Sequence, residues 1–309
     1  MEAMDAPYLI CWDHRLVDHR SGGGLVSISK AIDPKRVGIS KSLVTSTALC
    51  GRKGWFSEKI RLEDGSRLPF IAPERVAFGS GLDEAILIIA EALRAGRTWD
   101  ESDVVDEALT AVMARPTIGI DWEIFEAQLR AAIKIFVYDV LEPELVTFRD
   151  VYLQGLDGES LKVDGLIGTP DFIFRKWKGE EGATMILDLK ASARSKSEKD
   201  LRSAEMAFYS YLWSRYSAGE LPGIGYLTYV RTKRPTYQLI TGKATGEHLL
   251  LAEQYLAATR SVVGRESVEE VAFTTSFCGS CEWRKPNPLV GFEGCSVGRL
   301  IASDEKVEE

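Results

Sequence analysis

Long apolar runs are missing from this chain. The longest candidate, Ala85-Ile86-Leu87-Ile88-Ile89-Ala90, is far short of the ~18 residues that cross a bilayer, so no membrane partner is expected. The opening MEAMDAPYLICWDHR has no basic region followed by an apolar one, and without a visible secretory signal a cytoplasmic location is the expectation. No Gly-x-x-x-x-Gly-Lys-Ser/Thr loop occurs, so no ATP-driven helicase motor is encoded here. Positive charge is also short. Lys and Arg total 38 against 46 Asp and Glu, a net charge of −8. Indiscriminate coating of nucleic acid depends on neutralising many phosphates, and this balance argues against it. Histidine is scarce: His14 and His19 are two of only three, and nothing near them supplies further ligands at a recognisable metal spacing. Cysteine is limited to five, which in a cytoplasmic chain reads as metal ligands or buried apolar residues before disulfides.

What is present is a core. With 309 residues and 45% hydrophobic content the chain can bury a substantial interior, as one large domain with additions. Residues 1–38 read as an irregular lead-in broken by Gly22-Gly23-Gly24, residues 39–300 as the main domain, and 301–309 as an acidic tail. Ser40 is placed to cap a helix running to Cys50. Gly79-Ser80-Gly81 is expected to open a helix closed by Gly96, with Ile86, Leu87, Ala90 and Leu93 as its buried stripe. Two more helices are expected over 102–114 and 121–140. Residues 144–154 alternate like a strand, and a turn at Leu156-Asp157-Gly158 starts an expected meander of antiparallel strands. A helix is expected from Glu198 to Arg215, then strands over 223–230 and 236–240 and a closing helix from Glu247 to Val263.

Acids stand where a folding core would not choose them. In Met185-Ile186-Leu187-Asp188-Leu189-Lys190 an apolar strand run ends in a carboxylate and an ammonium two residues apart, and the pleat points both to one face. Gly168-Thr169-Pro170-Asp171 turns into Phe172-Ile173-Phe174, placing Asp171 at the mouth of a second strand. Asp171 and Asp188 are hard oxygen donors of the kind Mg²⁺ or Mn²⁺ takes, and a bound ion can activate water and neutralise charge during phosphodiester cleavage. Lys190 would hold the attacking water or the scissile phosphate. Asp83 lies on the edge of its helix's buried stripe, either as an inward donor or as a first-turn acid favoured by the helix dipole. Glu205 falls within an apolar helical stripe with Tyr209 one turn on, and a carboxylate there is costly unless paired or solvated. Around them Arg194 and Lys196 belong to a basic stretch over 190–202, suited to phosphate contact or to a solvated face.

In order, Gly168-x-x-Asp171, then Asp188-x-Lys190, then a helix carrying Glu205-x-x-x-Tyr209 resemble the PD-(D/E)xK nucleases, in particular the RecB-like branch with its Cas4-like and phage exonucleases. That branch usually has Gln where Glu205 stands. The resemblance spans about residues 40–298. It implies a restriction-endonuclease-like core, a mixed central sheet flanked by helices in the α/β class. It also implies metal ligation by Asp83, Asp171 and Asp188, with Asp83 where the branch usually has His, and DNA positioning by Glu205 and Tyr209 with Arg194 and Lys196.

Cys278-Gly279-Ser280-Cys281 and Cys295 lie at one end and Cys50 near the other. By residue type, four thiolates suit iron-sulfur or zinc equally. The one-plus-three arrangement is similar to the [4Fe-4S] site of Cas4-like and AddB-type nucleases. It implies a cluster region built from residues 40–56 and 272–298, with Zn²⁺ as the alternative occupant and Cys11 outside it. The activity implied is a stand-alone metal-dependent DNA exonuclease acting on free ends. Its first context is viral recombination, repair or processing in a host cytoplasm, with a possible recombination partner protein. CRISPR adaptation is the second context, and a non-catalytic DNA-end-binding module is the rival from another class.

Overall fold

The apolar run that ends in Asp188 forms β10 (Met185–Ser192), the central strand of a five-stranded sheet. The structure is a computed structural model that describes residues 26–28, 38–62, 72–148, 151–152, 160–179, 183–274, 276, 278, 281, 283 and 294–297. Cys11, His14, His19, the glycine triplet, the Leu156-Asp157-Gly158 turn and the acidic tail lie outside the described residues.

In chain order the other strands are β1 (Val26–Ile28), β2 (Ile39–Ser40), β3 (Ile60–Leu62), β4 (Ala72–Pro73), β5 (Thr117–Ile118), β6 (Val151–Tyr152), β7 (Leu161–Val163), β8 (Leu166–Gly168), β9 (Phe172–Phe174), β11 (Gly223–Val230) and β12 (Thr236–Lys243). The helices are α1 (Lys41–Leu49), α2 (Gly51–Lys59), α3 (Glu74–Arg94), α4 (Glu101–Met113), α5 (Trp122–Phe136), α6 (Ala204–Tyr216) and α7 (Gly246–Val263). The class is mixed α/β.

The large sheet runs β12-β11-β10-β9-β6. Its strands alternate, so each face carries its own core. Leu187 and Leu189 of β10, Phe172 and Phe174 of β9, and Leu227 and Tyr229 of β11 pack with the apolar stripes of α3, α4 and α5. On the opposite face Ile186, Ile173, Ile224 and Tyr226 pack with Phe208, Tyr209 and Leu212 of α6 and Leu256 of α7. Asp188 and Lys190 have the parity of Ile186, so they belong to the α6 face.

The expected antiparallel meander needs correction. β10 pairs with β9 antiparallel but with β11 parallel, and α6 makes the crossover between β10 and β11. Parallel neighbours need such a connection, because a tight hairpin turn cannot return the chain to the same end. The strand expected over 144–154 is reduced to Val151–Tyr152 among the described residues, and Glu144 lies at φ 50°, a left-handed conformation that breaks extended structure. The lead-in is not wholly irregular either: Val26–Ile28 pairs antiparallel with Ile60–Leu62.

Two helices begin elsewhere than expected. α3 starts at Glu74, so Gly79-Ser80-Gly81 lies inside it and Asp83 is in its third turn, beyond the reach of the first-turn dipole reading. Gly81 is tolerated there because it packs against α4 and α5, where an added Cβ would stand 3.2 Å from Val112. The helix expected from Glu198 is interrupted: a 3₁₀ segment, Glu198–Arg202, ends at Ser203, whose extended backbone (φ −71°, ψ 160°) restarts the chain as α6. Glu205 therefore belongs to the first turn of a helix and not to its middle. Ser203 caps that turn through its hydroxyl, which accepts from Met206 N–H at 3.2 Å.

The other elements that were expected lie close to their expected bounds, whereas α2, β3, β4 and β5 were not expected. Ser40 caps α1 by accepting from Leu43 N–H at 3.2 Å. Asp164 and Gly165, both at positive φ, make the two-residue turn joining β7 to β8. Gly168 at the end of β8 lets that strand approach α6, since a Cβ there would lie 2.5 Å from Leu212.

Candidate functional site

Three elements deliver the acids to one place. β9 and β10 are paired through Phe172 and Leu187, so the next positions outward, Asp171 and Asp188, stand across from each other. Asp171 is fixed by a hydrogen bond from the backbone N–H of Leu189 to its Oδ2 at 2.6 Å. Asp188 is 1% exposed. Lys190 Nζ pairs with its Oδ2 and Lys41 Nζ lies 3.7 Å from its Oδ1. α3 contributes Asp83, close enough for its charge to act on both Asp188 and Lys190.

α6 closes the site with Glu205 and Tyr209. Glu205 Oε1 accepts from Lys41 Nζ at 2.6 Å and from Lys190 Nζ at 3.2 Å, and its Oε2 accepts from the Tyr226 hydroxyl at 3.2 Å. Tyr226 in turn contacts Ser203 Oγ at 2.7 Å. Tyr209 is fully buried and donates to the Thr169 carbonyl at 2.9 Å, which ties α6 to the turn before Asp171.

The electrostatics divide the carboxylates into two kinds. Burial raises Asp171 well above the ordinary carboxylate range, and neighbouring Asp188 and Asp83 add to it. Burial and Glu205 raise Asp188 against the pull of Lys190 and Lys41. Asp83 is pushed up to about 7, by burial first and then by Asp188, against the attraction of Lys190 and Lys41. Glu205 goes the other way. Burial opposes its charge, but Lys190 and Lys41 outweigh it and hold the group at about 2. Lys190 is raised well above its usual value, since Asp188, Glu205 and Asp171 overcome the cost of its burial.

As placed, no three His, Cys, Asp or Glu side chains among the described residues are grouped closely enough to hold a metal ion. The donor set nevertheless suits a hard divalent cation. Asp83, Asp171, Asp188 and Glu205 carry four negative charges when ionised, and Lys41 and Lys190 carry two positive ones. The balance is two negative charges around a buried Asp188, a hard-oxygen excess of the kind a divalent cation neutralises.

Of the expected DNA-contact residues, Lys196 packs its ammonium over the Tyr226 ring at 4.7 Å, adjoining the Glu205 network. Arg194 is displayed outward and bonds Asp200 at 2.9 Å. The sequence reading did not assign Lys41 or Tyr226 to the site. A signal for Lys41 did exist: directly after a Ser cap, its positive charge opposes the helix dipole, a local inconsistency that points to a partner elsewhere.

The cysteines converge on a second site. Cys50, Cys278, Cys281 and Cys295 line one recess that opens to solvent, together with Arg52, Phe56, Phe273 and Trp283. Cys50 is the C-cap of α1 and the N-cap of α2. The C-terminal segment is held against α2 by Arg52, which donates to the Val271 carbonyl at 3.4 Å and to Ser296 Oγ at 3.3 Å. Trp283 stacks on Phe56 with ring centroids 5.6 Å apart. Gly51 permits the approach, because a Cβ there would lie 2.5 Å from the Ala272 carbonyl oxygen. Four cysteines lining one recess, with Arg52 largely buried in the same lining, are a donor set of the type that fits a thiolate-ligated metal or cluster.

Compared with protein-family models and with curated proteins, the chain matches none. Among solved structures it is similar to one titled "Crystal structure of SSO0001", at 14% identity, covering 74% of this chain and 90% of that one, with a TM-score of 0.25.

Proposed function

We propose that this protein is a Mg²⁺- or Mn²⁺-dependent deoxyribonuclease that hydrolyses phosphodiester bonds of DNA from free ends. In this reading the core is restriction-endonuclease-like, of the RecB-like, Cas4-like type. The observation that carries it is the convergence of Asp83, Asp171, Asp188 and Lys190 from α3, the mouth of β9 and β10 on one buried cluster. A structural ion-pair network gains nothing from buried carboxylates near enough to repel one another electrostatically, whereas a site for a divalent cation does.

Asp83, Asp171 and Asp188 would hold the ion, which when bound supplies Lewis acidity toward a phosphodiester. Lys190 places an ammonium at the rim of the acids, where it can hold the scissile phosphate or the attacking water. Glu205 keeps that ammonium charged and oriented through its 3.2 Å contact. Tyr209 holds α6 against the Asp171 turn, and Lys196 and Arg194 extend a basic margin along the strand path. At the second site Cys50, Cys278, Cys281 and Cys295 would ligate a [4Fe-4S] cluster, with Zn²⁺ as the other occupant of the same thiolates. Its role would be structural, joining the two ends of the domain. DNA recombination or repair is the context, viral processing first and CRISPR adaptation second.

The test is a digestion of end-labelled linear DNA and closed circular DNA with Mg²⁺ or Mn²⁺. Degradation of the linear form with the circle spared is expected. A wild-type protein that binds ends yet cuts neither form with either metal would overturn the enzyme reading and leave a DNA-end-binding module.

A further inference from the structure

Two ammonium groups, not one, stand over the acids. Lys190 and Lys41 share Glu205 Oε1 at 3.2 and 2.6 Å, and each faces a different oxygen of Asp188. The acids lie beneath and the lysines above: Asp188 and Glu205 side chains are 1% and 13% exposed, Lys41 and Lys190 27% and 30%. A polyanion approaching this cluster therefore meets the ammoniums before it meets the carboxylates. Lys41 is held in that position by its pair with Glu205 and by the Tyr209 ring, whose centroid is 5.6 Å from Nζ. It arrives from α1, an element separate from those that carry the acids.

We propose that Lys41 is a phosphate-contacting residue, forming with Lys190 a two-ammonium clamp for the backbone of a polynucleotide. This rests on the nuclease reading and specifies which groups grip the substrate. Glu205 sits between the two cations and spaces them, so a phosphate can engage both without displacing either from its carboxylate floor. A lysine suits this role as a compact charge on a flexible stem. The competing explanation is that Lys41 merely offsets the buried charge of Glu205.

The experiment measures binding of a fluorescent oligonucleotide with a free end, in chelator, over a salt series, so the readout does not depend on metal or cleavage. Lys41→Gln is expected to weaken binding about tenfold and to lower the log–log salt slope by about one, as for one lost phosphate contact. The double variant Lys41→Gln/Glu205→Gln removes the acid that Lys41 pairs with together with the lysine, and circular dichroism checks that both variants fold. It should bind as weakly as the single variant. In Mg²⁺ the Lys41→Gln loss should fall more on KM than on kcat. Wild-type affinity and slope in Lys41→Gln, their recovery in the double variant, or no wild-type binding at low salt would each overturn the proposal. A wild type that shows the Lys41 effect in chelator but never cuts DNA removes the nuclease reading and leaves the clamp standing.

Discussion

Asp171 and Leu189 are joined by a 2.6 Å hydrogen bond from the backbone N–H of Leu189 to Asp171 Oδ2. The bond extends the β9–β10 ladder by one side chain and fixes where the first acid points relative to Asp188. Asp171→Asn retains an acceptor for that N–H while removing a charge that Asp188 and Asp83 repel. The expected outcome is a metal-free protein as stable as wild type or about 1 kcal/mol more so, with DNA cleavage abolished. Thermal denaturation in chelator beside a nuclease assay checks both halves.

Asp171→Ala removes the acceptor as well. A buried backbone N–H without a partner costs about 1–3 kcal/mol, so the alanine variant should melt below the asparagine variant. Equal melting temperatures would contradict the part assigned to this bond.

Asp200 gives a pH dependence. Burial opposes its charge, but the Ser197 N–H, Arg194, the Ser197 hydroxyl and Lys196 outweigh that and hold it down to about 2. Its folded value lies below that of an unfolded aspartate, about 3.9. Its stabilising contribution is therefore fully present above about pH 4 and is lost as the pH falls toward 2. Asp200→Asn should lower stability at pH 6 and flatten the acid limb between pH 4 and 2, as followed by urea denaturation at several pH values.

The cysteine recess yields a spectroscopic prediction. Protein purified anaerobically should be brown, and Ser in place of any one of Cys50, Cys278, Cys281 or Cys295 should bleach it and lower the melting temperature. A colourless wild type with stoichiometric zinc would assign the other metal to the same thiolates. Gly51→Ala, whose Cβ would meet the Ala272 carbonyl oxygen at 2.5 Å, should destabilise by about 1–3 kcal/mol through overpacking and reduce retention of the bound group.

The strand and turn chemistry around the acids was legible because it is local. Period-two alternation put Asp188 and Lys190 on one face, and the Gly-Thr-Pro turn put Asp171 at a strand mouth. The Ser40 cap and the closing helix were readable for the same reason. The break at Ser203 was hidden, since Leu201, Glu205, Phe208 and Leu212 keep a helical spacing across it; the capping box of Ser197 and Asp200 was the clue. Glycines misplaced the start of α3, because Gly81 answers to packing against Val112 and Phe125 and not to a helix terminus. The partner of Lys41 was out of reach of pattern reading, since it is Glu205, 164 positions away. The parallel pairing of β10 and β11 likewise depends on how α6 packs.

The most direct measurement compares cleavage of end-labelled linear DNA in Mn²⁺ by wild type, Asp188→Asn and Lys190→Ala, all confirmed folded. The prediction is degradation by wild type and a loss of about 10³-fold or more in each variant, as expected when a metal-holding acid or a charge-stabilising ammonium is removed. Undiminished degradation by either variant would contradict the assignment of the chemistry to this cluster.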